Sequence, residues 1–264
     1  MFFTHTMYHQ IKSYLKFLIR SSNEHGIHSP FVYDLITKCF YDKTKYPEYA
    51  LLKKYRQELE NSNESINVTD FGAGSRVFKD GKRPVKAIAK NAGVPPKRQR
   101  LLFRITRYFK PDTVLELGTS LGLGTVAIAL GNTSSKVNTV EGCESTAKIA
   151  TNMFTAFKLS NVAMYNTTFE KFFSSEKLEG HYDLTYIDGN HNKAMTLQYF
   201  KLLLKQVTND SVLIFDDIYW SSEMTEAWQE IIAHPDVTVS IDTFYLGFVF
   251  FRREQKKQHF NIRL

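Results

Sequence analysis

The 264-residue sequence contains only two cysteines, Cys39 and Cys143. Two thiols allow one bridge at most, which excludes a disulfide framework, and their spacing is not that of a zinc site. A reduced, cytoplasmic setting fits. The N-terminal stretch MFFTHTMYHQIKSYLKFLIR lacks an unbroken apolar run, because His5, His9, Gln10, Lys12 and Lys16 interrupt it. This excludes a signal peptide or a membrane span there, and no integral membrane contact is expected. Internal repeats and low-complexity segments are absent. Arginine is missing altogether between Arg107 and Arg252.

What is present is an ordinary globular composition, with 43% hydrophobic residues and 21 Phe and 14 Tyr to build an aromatic core. The net charge of +7 is unevenly spread. Residues 61–110 carry twelve basic and three acidic side chains, whereas residues 111–251 carry eight basic and seventeen acidic ones. The last thirteen residues are basic again, with five basic side chains and one acidic. An acidic domain flanked by basic segments can attract them, or can steer an acidic substrate or nucleic acid.

Periodicity divides the chain into a helical extension or cap (1–96), an α/β domain (97–254) and a basic tail (255–264). In the extension, Tyr8, Ile11, Leu15 and Leu18 recur at helical spacing and predict an amphipathic helix over 7–20 that packs on the rest of the chain, with membrane-surface contact as the alternative. Further helices are expected near 29–40, opened by Ser29 and Pro30, and near 47–60. From 97 onward strand and helix signals alternate. The helix 97–110 ends at Pro111 and carries a basic stripe of Arg100, Arg104 and Arg107. Strands are expected at 113–118, 136–142, 162–169, 182–189 and 211–218, with helices after most of them. VTVSIDTF and LGFVFFRRE close the domain as an antiparallel hairpin. The fold class is therefore α/β: a Rossmann-like, mostly parallel sheet with its last strand antiparallel, flanked by helices. In such sheets ligands bind beyond the carboxyl ends of the strands.

The chemistry-bearing residues sit at those ends. Glu116, Gly118, Thr119, Ser120, Gly122, Gly124 and Thr125 follow the first strand and open a helix. The spacing is G-x-x-x-G-x-G, not the dinucleotide G-x-G-x-x-G. An acidic residue before the first glycine, without a tight pyrophosphate turn, suits a ligand that combines an amino acid with a nucleoside and has no phosphate. Glu141, followed by Gly142, ends the second strand, where a carboxylate can accept hydrogen bonds from ribose hydroxyls.

With these residues in place, the chain from Lys97 to Glu254 resembles the class I S-adenosylmethionine (SAM)-dependent methyltransferases, and within them the catechol O-methyltransferase-like group. VLELGTSLGLGT resembles the group's first motif and VEG its ribose-binding strand end. NTTFEKF resembles the adenine-side turn, which implies Thr168 and Phe169 beside the adenine. YDLTYIDGNH and VLIFDDI resemble the fourth- and fifth-strand motifs. The resemblance implies Asp188, Asp216 and Asp217 as Mg²⁺ ligands, hard oxygen donors of the kind that ion prefers. Asp188 also faces the cofactor in this reading, and His191, three residues on, stands where the group carries its base. The implied reaction is O-methylation of a small hydroxylated acceptor, with SAM as cofactor and Mg²⁺ assisting. In-line displacement at a sulfonium relies on positioning, and the acceptor oxygen must lose its proton.

Two other readings stand beside it. The basic 61–110 segment and tail fit an RNA methyltransferase, acting on ribose or base, since phosphate contacts come from Lys and Arg. Against this, the fourth strand ends in Ile-Asp-Gly-Asn rather than the Asn/Asp-Pro-Pro-aromatic of base-amino methyltransferases. The third reading is a SAM-binding protein without catalysis. A second glycine cluster, Asp70, Gly72, Gly74 and Ser75, is expected to form a loop over the active site.

Overall fold

The computed structural model of the chain describes residues 5–69, 81–175 and 180–264. The Asp70–Ser75 glycine cluster lies outside the described residues. In chain order the elements are α1 (His5–Arg20), α2 (Pro30–Leu35), α3 (Glu48–Glu60), β1 (Ser65–Asn67), β2 (Lys82–Pro84), α4 (Val85–Asn91) and α5 (Pro96–Phe109). There follow β3 (Thr113–Leu117), α6 (Leu123–Gly131), β4 (Lys136–Glu141), α7 (Glu144–Ala156), β5 (Val162–Asn166) and α8 (Phe169–Phe173). The chain ends with β6 (Leu184–Ile187), α9 (Lys193–Leu203), β7 (Val212–Asp216), α10 (Ser222–Ala233), β8 (Val239–Asp242), β9 (Leu246–Phe250) and β10 (Gln258–Asn261). They form two compact units, one of residues 38–179 and one of residues 1–37 with 180–264.

In the 38–179 unit, β3, β4 and β5 pair in parallel in that order. Residues Val114–Leu117 are buried, as a short apolar run in a covered parallel strand should be. Helix α5 begins at Pro96, where proline's missing N–H costs nothing, and stops at Lys110, whose backbone is left-handed at φ 48°, before Pro111. Its apolar face, Leu101, Leu102, Phe103 and Ile105, is buried. The opposing α6 approaches closely because Gly131 has no side chain: a Cβ there would lie 2.6 Å from the Phe103 carbonyl oxygen. The basic stripe of α5 is occupied within the unit. Arg104 donates to the carbonyls of Cys39 (2.8 Å) and Phe40 (3.0 Å). Arg100 and Arg107 lie over the rings of Tyr49 and Tyr46, at 5.1 and 4.7 Å from their centroids. β1 and β2 form a separate antiparallel pair, with Ser65 opposite Pro84.

In the other unit the strand order is β10-β8-β9-β7-β6. β7 and β6 are parallel, and β9 runs against both β7 and β8. The reversed strand and the β8–β9 hairpin match the sequence reading. The segment read as a basic tail adds a strand, because β10 lies parallel to β8, His259 opposite Ser240. At α2, Ser29 caps the helix by accepting from the Val32 amide (3.4 Å), with Pro30 in its first turn. Helix α1 departs from expectation. Of its predicted apolar face only Leu18 is half-buried: Tyr8, Ile11 and Leu15 are exposed, as is the neighbouring Ile19, and the edge carrying His9, Gln10 and Phe17 faces inward. None of the helices among the described residues is long and apolar enough to cross a membrane.

Candidate functional site

In the 38–179 unit the turn from β3 to α6 is shaped by left-handed backbone at Gly118 (φ 102°), Ser120 (φ 49°) and Gly122 (φ 78°). The Gly118 amide donates to the Val140 carbonyl at 3.0 Å, which ties the turn to β4. At Gly122 a Cβ would lie 2.5 Å from both the Phe154 ring and the Tyr55 hydroxyl. Tyr55 is fully buried and donates to the Leu121 carbonyl at 2.9 Å, locking the turn from beneath. Gly122 therefore serves packing as well as backbone conformation. The predicted cofactor residues separate into two layers. Gly118, Ser120, Glu141, Gly142, Thr168 and Phe169 are partly exposed, while Glu116, Thr119, Gly122, Gly124 and Thr125 are buried.

Glu141 stands at the end of β4. Its Oε2 accepts from the Ser120 amide and its Oε1 from the Cys143 amide, each at 2.8 Å. Burial raises this carboxyl above its ordinary value, and the Cys143 and Ser120 amides oppose the rise. The Ser120 and Cys143 amides thus fix the carboxylate's plane, with the Thr146 hydroxyl and the Gly142 amide also acting on it.

Glu116 is 1% exposed. Its Oε2 receives the hydroxyls of Thr125 (2.5 Å) and Thr139 (2.6 Å). Thr139 spends its proton on Glu116, so the Thr119 hydroxyl, 2.5 Å away, donates to Thr139. Burial pushes the Glu116 carboxyl up to about 7, against the two threonine bonds and aided by the nearby Glu141 charge. The sequence reading placed Glu116 against the ligand; its carboxylate instead turns inward and braces the turn. Thr125 and Thr139, which complete this network, are separated from Glu116 by 9 and 23 residues, and strand alternation alone does not reveal them.

Thr168 and Phe169 lie at the start of α8 rather than on a strand. Thr168 caps that helix by accepting from the Lys171 amide at 3.4 Å. The β5 ladder ends at Asn166, whose side-chain amide donates to the Glu141 carbonyl at 2.8 Å.

In the other unit Asp188 follows β6, and His191 Nε2 lies 3.8 Å from Asp188 Oδ1. Asn190 and His191 both adopt positive φ, 71° and 35°, so the backbone curls to turn the imidazole back toward Asp188. The His191 ring lies 5.7 Å from that of Trp220. Tyr186, buried on β6, contacts Asp216 Oδ2 at 2.6 Å and Asp188 Oδ2 at 3.1 Å. A phenol has one proton, so the shorter contact, to Asp216, takes it. Sequence reasoning missed Tyr186. Its signal was strand alternation, which puts residues 186 and 188 on one face.

Of the expected Mg²⁺ ligands, Asp188 and Asp216 meet at the Tyr186 hydroxyl. Asp216 is buried, with Oδ2 bound by Tyr186 and Oδ1 by the Asp217 amide at 2.8 Å. Asp217, half-buried at φ 51°, accepts from the Trp220 amide through its main-chain carbonyl. Among the described residues, no three His, Cys, Asp or Glu side chains gather as a metal site. An Mg²⁺ site at Asp188, Asp216 and Asp217 is thus not shown, and both carboxylate oxygens of Asp216 are hydrogen-bonded within the chain.

Residues 115–218 match the family model described as a methyltransferase domain. No curated protein matches the chain. Among solved structures, the chain is similar to an S-adenosylhomocysteine-bound methyltransferase of Podospora anserina, with TM-score 0.61 and 14% identity over 85% of this chain and 97% of that one. An O-methyltransferase of Bacillus cereus in complex with S-adenosylhomocysteine aligns at TM-score 0.55 and 16% identity, over 80% and 94%. An O-methyltransferase of Streptomyces achromogenes involved in tomaymycin synthesis, in complex with SAM, aligns at 0.55 and 14%, over 79% and 91%. The fold is thus the Rossmann-like fold of class I methyltransferases.

Proposed function

We propose that this chain, which carries a methyltransferase domain on the class I methyltransferase fold, transfers the methyl group of SAM to an oxygen of a small hydroxylated acceptor, with no step through a metal ion. The observation that carries the reading is Glu141: a carboxylate oriented by the Ser120 and Cys143 amides at the lip of a glycine turn and partly exposed there, where ribose hydroxyls can reach it. Gly118 and Ser120 are partly exposed beside it, and with their amides bound to Val140 and Glu141 they offer their carbonyls to the amino group at the amino-acid end of the donor. Thr168 and Phe169 border the adenine in this reading. The three neighbours solved with SAM or S-adenosylhomocysteine support the choice of donor.

His191 acts as the base. Its neutral imidazole takes the acceptor's hydroxyl proton as the oxygen attacks the sulfonium methyl carbon; the C–S bond breaks and S-adenosylhomocysteine leaves. Asp188, 3.8 Å from Nε2, stabilises the imidazolium so formed. Tyr186 holds Asp216 and lies against Asp188, which limits how far Asp188 can move.

The RNA reading is weaker because Arg100, Arg104 and Arg107, its most regular basic stripe, are engaged with Tyr49, the Cys39 and Phe40 carbonyls, and Tyr46. The test is transfer of a labelled methyl group from SAM, in chelator, to a panel of phenols, catechols and hydroxy acids, with total RNA as a parallel substrate. Label on a small acceptor, lost in His191→Ala, is the expected result. Label on RNA alone, or transfer only after Mg²⁺ is added, overturns the proposal.

A further inference from the structure

We infer that helix α1 is a surface anchor that lays its apolar face in the headgroup region of an anionic lipid bilayer. The helix is strongly amphipathic, yet it is docked the wrong way round for a helix that serves only the core. Tyr8, Ile11, Leu15 and Ile19 form one stripe along it and are 62%, 47%, 57% and 86% exposed. Scattered exposed apolar residues are ordinary, but a continuous stripe along one helix marks an interaction surface. Tyr245, 51% exposed and packed edge-on against Phe244, extends the patch, and Tyr14 meets the same Phe244 at 4.8 Å.

The helix is fixed in this orientation from its other side. His9 Nε2 lies 2.9 Å from the Thr225 hydroxyl, Gln10 donates to the Trp220 carbonyl at 3.2 Å, and Phe17 is buried. At its end, the Arg263 guanidinium donates to the Leu18 carbonyl at 3.3 Å, and the Ser22 amide to the Asn261 carbonyl at 2.9 Å. Rolling the helix to hide the stripe would break these bonds together.

Charge identifies the occupant. The stripe is bordered by Lys12 and Lys16, both exposed, with Arg20 at the helix end, and no Asp or Glu occurs among residues 1–23. A second copy laid stripe to stripe would bring the lysines of the two helices together, and the helix itself carries no carboxylate to pair them. Anionic headgroups supply the missing charge, the acyl boundary accepts Ile11, Leu15 and Ile19, and tyrosine suits the interface between them. Such a helix lies in the membrane plane and does not span it, in keeping with its sixteen residues.

The experiment is flotation of the full chain with vesicles of phosphatidylcholine alone and of phosphatidylcholine mixed equally with phosphatidylglycerol, alongside sedimentation velocity without lipid. Binding to the anionic vesicles, weakened by salt and by removal of phosphatidylglycerol, is expected. Leu15→Glu should abolish it. The pair Lys12→Ser and Lys16→Ser should weaken it about thirtyfold, from the usual contribution of each cation near such a surface. These side chains are exposed, so an unchanged thermal midpoint confirms that the variants are folded. No binding to either vesicle overturns the inference. So does equal binding to neutral vesicles, or a lipid-free dimer that Leu15→Glu splits into monomers.

Discussion

Replacing Glu116 with Gln should make the protein more stable at alkaline pH and leave it little changed in acid. The folded carboxyl keeps its proton until about pH 7, because burial outweighs the bonds from Thr125 and Thr139. In the unfolded chain it ionises near its ordinary 4.5. Between those values the folded state binds the extra proton, so this residue's contribution to stability falls as pH rises from about 4.5 to 7 and is level above that. The full fall is about 3 kcal/mol, and the part lying between pH 5 and pH 8 is about 2–3 kcal/mol. Glutamine is never charged, and its carbonyl oxygen can still accept both threonine hydroxyls. Any fixed cost of the amide is the same at both pH values and cancels in the difference. Urea denaturation of both proteins at pH 5 and pH 8 gives the number. The variant's relative stability should rise by about 2–3 kcal/mol between the two pH values. An equal difference at both would refute the view that a buried, protonated Glu116 braces the turn.

Gly122→Ala combines a left-handed residue at φ 78° with a methyl 2.5 Å from Tyr55 and Phe154, and should cost about 2–4 kcal/mol in a denaturation midpoint and weaken S-adenosylhomocysteine binding. Tyr186→Phe leaves a buried oxygen of Asp216 without its donor; a loss of about 1–3 kcal/mol is expected, with a displaced pH–rate profile for methyl transfer. Arg104→Ala frees the carbonyls of Cys39 and Phe40 and should cost about 2 kcal/mol in thermal or urea unfolding, with RNA retention at low salt unaltered.

Much of the fold was legible because its strands are simple. TVLEL, LTYI and VLIFD are short apolar runs that the structure buries, and the helices between them announce themselves by period and by punctuation such as Pro111 and the Ser29–Pro30 start. β10 was not legible. Gln258–Asn261 is polar and flanked by charge, and it becomes a strand only because the edge of β8 offers it main-chain bonds. The α1 helix was legible as amphipathic, but periodicity states which face is apolar and not what covers it. For the same reason the site was legible as a set of strand ends and not as a set of partners. Glu116 was visible as an acid beside glycines, whereas its burial depends on Thr125 and Thr139 arriving from elsewhere. The acidic run Asp216–Asp217 resembles metal ligands, and the bond from Tyr186 to Asp216 was not legible in it. His191 and Asp188 were identifiable by their spacing of three, and the positive φ angles at residues 190 and 191 are what bring them within 3.8 Å.

The most direct measurement is a calorimetric titration of S-adenosylhomocysteine into the wild-type chain and into Glu141→Ala, in chelator throughout. Saturable binding at one site per chain, weakened at least tenfold when Glu141's hydrogen bonds to the ribose are removed, is the result predicted here. Binding unchanged in Glu141→Ala, or none in the wild type, would contradict the donor site built from Gly118, Ser120 and Glu141.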